Sequence, residues 1–165
     1  MIEVPEIFAR IYEKHGHRCP MSTLGGRLGL AAMALPQLDR ESLRGVYHSR
    51  TCALDGIALT IGCSEEDGNL AVTAEGRHCL ELYDDAGNGV VLSLNENAMQ
   101  IAGDYRRLSH ELEQGWDGLT EEERSARDTR REAALDALLP GLWQAADADL
   151  ITVRVGAIDK RDPNG

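Results

Sequence analysis

The chain has 165 residues, 42% of them hydrophobic, which suits one globular domain with a real core. Its formal net charge of −11 argues against a role in neutralising phosphates, because non-specific nucleic-acid affinity comes from Lys and Arg displacing counterions; no nucleic-acid partner is expected. The N-terminal MIEVPEIFARIYEK mixes acidic with apolar residues and does not read as a secretory signal, and the longest apolar stretch, Leu28 to Pro36, is far too short to span a bilayer. A cytoplasmic protein with no membrane association is the expectation.

Pro5 suits a first helical turn, and Ile7, Phe8, Ile11 and Tyr12 follow at helical spacing until His15-Gly16 closes the helix. The segment HGHRCP, His15 to Pro20, then lies in a turn. A second helix is expected from Pro20, with Met21, Leu24, Leu28 and Leu35 on one stripe, before Pro36 stops it. Cys19 becomes its cap. Gly25 and Gly29, four apart, would let another backbone approach, whereas Gly26 adds only a propensity cost. Leu43 to His48 reads as a strand. Leu54, Ile57, Ala58 and Ile61 mark a short helix from about Thr51 that Gly62 ends, so Cys52 opens it and Cys63 follows it.

Three short segments come next, Leu70 to Ala74, Cys79 to Tyr83 and Val90 to Leu94, separated by turn residues and read as an antiparallel meander. Glu96 through Glu113 is helical, and Thr120 with Glu123 forms a capping box for a long charged helix to about Leu139. Ile151 to Val155 is a final strand. The predicted fold is α+β: a mixed, largely antiparallel sheet flanked by helices, one domain over residues 1–158 with a frayed tail at 159–165.

Four cysteines, at 19, 52, 63 and 79, are expected as reduced thiols in a cytoplasmic chain. A thiol at a helix N-terminus has its thiolate favoured by the exposed N–H groups, which suits Cys19 and Cys52 as ligands. His15 and His17 stand four and two residues from Cys19 and could converge on the same ion. At about 1.5 Å rise per residue, Cys52 and Cys63 are on the order of 15 Å apart, too far to share one ion through Zn–S bonds of about 2.3 Å. If both helices run antiparallel to the strand between them, Cys19 and Cys52 meet at its C-terminal end. Cys63 then lies at the opposite end unless a second subunit brings it round. Asp55, one turn after Cys52, is placed to orient a ligand histidine. Cys79 reads as structural, and His48, His78 and His110 have no partner in sequence. No GxGxxG, GxxxxGK or nucleophile-elbow motif occurs.

Taken in order, HGHRCP, a glycine-bearing helix with LAAM, CALDGI, IGCS and DGNL resemble the FmdE family, named for the FmdE component of formylmethanofuran dehydrogenase, over roughly residues 10–95. The family patterns HGHxCPG, CxxDAI and GCTxGKGN fall on His15, His17 and Cys19; on Cys52 and Asp55; and on Gly62, Cys63, Gly68 and Asn69. Met21 stands where the family has glycine, and Asp67 where it has lysine. Some members carry a C-terminal zinc finger; no cysteine follows Cys79, so the core domain alone is expected. The resemblance implies a thioredoxin-like α+β core, an intertwined homodimer that gives Cys63 a route to the other chain's cluster, a His/Cys metal site, and association with molybdenum or tungsten enzymes. Zinc is the expected ion, with iron or nickel as alternatives. Three functions compete: a metal-binding accessory or redox protein, a metal- or thiol-dependent enzyme, and a non-catalytic partner protein that docks through its acidic C-terminal helices.

Overall fold

A computed structural model describes residues 3–157; the expected tail at 159–165 lies outside them. The elements in chain order are α1 (Glu6–His15), α2 (Pro20–Met33), β1 (Arg44–Tyr47), α3 (Ala53–Ile61), β2 (Leu70–Val72), β3 (Cys79–Tyr83), β4 (Asn88–Leu94), α4 (Glu96–Glu113), α5 (Glu121–Gln144), α6 (Asp147–Leu150) and β5 (Ile151–Ala157). The five strands form one mixed sheet, ordered β2-β1-β3-β4-β5, in which only the β1/β2 pair is parallel. The α+β class with a largely antiparallel sheet is therefore the observed one.

The expected meander holds for β3 and β4 and fails for β2. Helix α3 carries the chain from the end of β1 back past its start, so β2 lies parallel to β1 on its outer edge, with Gly45 paired to Leu70 and Tyr47 to Val72. β1 then inserts between β2 and β3. Alternation along the strands sends Leu80, Leu82, Val90 and Leu92 into the core together with Leu24, Leu28 and Ile57. The long helix also departs from expectation: α5 runs through Pro140 to Gln144. Proline cannot donate to the Asp136 carbonyl one turn earlier, but burial of Leu135, Leu139 and Leu142 on both sides of it outweighs that one lost bond.

α2 is the hub. Ser22 through Gly29 are buried without a break, and α1, α3, α4, α5 and the sheet all pack against this one helix. Its small residues make that possible. A Cβ on Gly25 would lie inside the Ala53 carbonyl, and one on Gly56 would collide with the backbone of Ser22 and Gly26, so α2 and α3 touch main chain to main chain. Gly26 does more than lower helix propensity, because it admits the Ile11 side chain of α1. Arg27, 7% exposed, ties α2 to the far end of α5 through the Leu142 and Ala145 carbonyls and the Asp147 carboxylate.

Gly25→Ala is expected to cost about 3 kcal/mol, at the upper end of overpacking penalties, because the obstructing atoms are backbone. Gly141→Ala, in the exposed interior of α5 with open space around it, is expected to gain about 0.5–1 kcal/mol. Urea denaturation of the two variants beside the parent chain measures both.

Candidate metal centre

The close α2/α3 contact sets two helix N-termini side by side. Cys19 is the N-cap of α2, its sulfur accepting from the Ser22 backbone N–H at 3.3 Å with Ser22 Oγ at 3.1 Å. Cys52 immediately precedes α3. The turn between α1 and α2 supplies the histidines: Gly16, at φ 93°, is the left-handed cap of α1, and the reversal it allows brings the His15 and His17 rings together at a tilt, with centroids 4.3 Å apart. One donor atom each from His15, His17, Cys19 and Cys52 lies within 4.8 Å of the others. Tetrahedral bonds of 2.0–2.3 Å would set such atoms about 3.3–3.8 Å apart, so small rotamer changes close the set.

Asp55 acts on His15 as its position one turn into α3 suggested. Its Oδ2 lies 2.8 Å from His15 Nδ1, which orients the ring and leaves Nε2 as the nitrogen available for a ligand role. That Nε2 is buried and has no hydrogen-bond partner among the described residues. Buried polar atoms are otherwise almost always satisfied, and a histidine held by a carboxylate on one nitrogen and vacant on the other is the arrangement metal sites use. Electrostatics favour a thiolate at Cys19. The hydrogen bond from the Cys52 thiol lowers its pKa most, aided by Ser22 and His15 and opposed by burial. The same contact pushes the Cys52 thiol up, so the pair shares one proton until something replaces it.

Cys63 does not join this group. It follows α3 at the opposite end, is 1% exposed, and its sulfur lies 3.8 Å from the Leu43 carbonyl within the core. Burial pushes this thiol up to about 11. Within one chain, Cys63 is therefore a packed thiol at the end of α3 away from the cluster. Cys79 is buried in β3. His48 is buried against Thr73 and Glu75, His110 is exposed beside Gln114, and His78 lines a cleft next to the cluster.

Two features escape a reading of the sequence. Arg18, inside HGHRCP, reaches across to α5 and pairs with Asp136 at 2.8 Å and with Glu132, bracing the histidine turn. The only signal is a cation in the middle of the motif and acids spaced four apart on a distant helix; nothing local connects them. The second is α4, which supplies the far wall of the cleft.

In metal-free protein, Cys19 is expected to react with iodoacetamide below pH 7, with Cys63 and Cys79 protected until unfolding. A depressed pKa leaves thiolate present as pH falls below the ordinary thiol value, so Cys52→Ala, which removes the hydrogen-bond donor, should move the midpoint of Cys19 labelling to higher pH. Mass spectrometry of the labelled peptides across a pH series reads this.

Comparison with known proteins agrees with this fold. The family model described as "FmdE, Molybdenum formylmethanofuran dehydrogenase operon" matches residues 14–145, a span that contains every residue of the cluster. No curated protein matches the sequence. Among solved structures, a tungsten formylmethanofuran dehydrogenase FmdE-like protein from Syntrophus aciditrophicus superposes with a TM-score of 0.58 at 23% identity, covering 94% of this chain and 72% of that one. That likeness is one of fold. The match over residues 14–145 reaches well beyond the motifs into the C-terminal helices, and the chain belongs to the FmdE family.

Proposed function

We propose that the chain binds one transition metal ion, zinc in the first place with iron or nickel as alternatives, through His15, His17, Cys19 and Cys52. In this reading it serves as an accessory or redox protein to a molybdenum or tungsten enzyme, as a cytoplasmic homodimer. The observation that carries the metal assignment is the buried His15 Nε2, without a partner among the described residues, on a ring whose Nδ1 is held by Asp55 and which lies in one group with two cysteines. Two imidazoles and two thiolates are a donor set suited to zinc, and reduced thiols suit a reducing compartment. The family supports the association with formylmethanofuran dehydrogenase.

A metal- or thiol-dependent enzyme is the second reading, favoured by the cleft that opens on Cys19, Cys52 and the exposed His17. A bound ion with one exchangeable position would supply Lewis acidity there. The docking reading has less support, because Glu132, Asp136 and Asp128 of α5 are already engaged by Arg18 and Arg131.

Anaerobic metal analysis tests the assignment. Wild type should carry about one ion per chain, Cys19→Ser and Cys52→Ser should lose it, and Cys63→Ser should keep it. Asp55→Asn should weaken binding about 10–100-fold, the usual effect of losing a carboxylate behind a ligand histidine. Wild-type protein that arrives without metal and takes up neither added zinc nor iron would falsify the reading. Cys19 and Cys52 labelling separates a coordinated pair, protected until chelation, from a free catalytic thiolate.

A further inference from the structure

The cleft beside the cluster encloses about 750 Å³, within the range of small-molecule sites. The α1–α2 turn and the β1–α3 loop form one wall, presenting His17, Cys19 and Cys52; α4 forms the other. Its charge runs against that of the chain. Among the described residues, Glu113 is the only acidic side chain that lines the cleft, and Arg131 approaches it at 3.5 Å. Arg50 is engaged by Glu65 through two hydrogen bonds, of 2.7 and 3.0 Å. Arg106 differs from both: it lines the cleft from α4 and has no hydrogen bond or ion pair among the described residues, whereas its neighbour Arg107 is paired with Asp104. Arg106 is exposed at the rim of the cleft, and an unpaired guanidinium at the mouth of a concave site in an acidic chain can receive an anion.

We infer that this cleft binds an organic monocarboxylate with an apolar body. The carboxylate sits on the Arg106 guanidinium, the hydrocarbon lies along Met21, Met99 and Ala102, and the far end meets Cys19 and Cys52. One unpaired cation matches one negative charge; a phosphate monoester, at about −1.5 to −2, would call for a second. Burial lowers the pKa of His78, which weakens it as a second cation. The inference rests on the metal-centre reading only in placing the far end of the ligand beside that cluster; the anion contact itself needs no metal.

The test uses the full chain after metal removal by chelation, titrated with hexanoate, hexanamide and hexyl phosphate while backbone amide shifts are followed by NMR. Hexanoate should saturate with shifts at Ala102, Gly103, Arg106, Thr51 and Cys52, and should bind about tenfold more tightly than the neutral amide, the advantage of a charge-assisted contact. Arg106→Gln should abolish that preference and Arg107→Gln should preserve it. Equal affinity for acid and amide, an undiminished preference in Arg106→Gln, or tighter binding of hexyl phosphate than of hexanoate overturns the inference. Because no metal enters the titration, these outcomes are independent of whether the chain binds zinc.

Discussion

The main-chain contact of α2 on α3 is the constraint on which the candidate centre depends. Gly25 against Ala53, and Gly56 against Ser22 and Gly26, leave no room for a side chain between the helices. The two axes therefore approach more closely than ordinary packing distances allow. Their N-termini then open side by side, and the residues at those two points are Cys19 and Cys52. The Cys19 sulfur also caps its helix, where the exposed N–H groups and the positive end of the dipole favour negative charge. A chain with bulkier residues on this seam would keep the same cysteines and lose their proximity.

Around that pair, polar residues supply aim rather than affinity. Asp55 fixes one imidazole, the left-handed Gly16 turns the other beside it, and Arg18 fastens the turn to α5. Each contact comes from a different element, so the cluster is a joint property of α1, α2, α3 and α5. The exposed ion pairs contribute little to stability by themselves; their effect is on the position of a short segment that has no core of its own.

Much of this is legible in the sequence because it rests on local rules. The cap at Gly16, the helix start at Cys19, the 96–113 helix and the Thr120–Glu123 capping box are short-range signals, and β3 falls on Cys79–Tyr83 as expected. The meeting of Cys19 with Cys52 follows from counting helix and strand directions. What is not legible is non-local. Nothing in Leu70–Val72 says that its partner is β1 rather than β3, since pairing depends on where α3 returns the chain. Pro140 looks like a stop because burial of Leu142 beyond it cannot be seen in sequence. Cys63 matches a family pattern by position, but its surroundings are those of a packed thiol.

Cys19 and Cys52 are joined through a long stretch of chain that includes α2, β1 and their connection. An ion held between their sulfurs would act as a reversible staple across it. Closing a loop of that size restricts the unfolded chain by an amount on the order of 3–4 kcal/mol in the entropic treatment of cross-links, a large share of a small domain's total stability. An ion bound there would add to the stability of the fold by mass action, and its loss would raise the fraction of unfolded chain open to proteases.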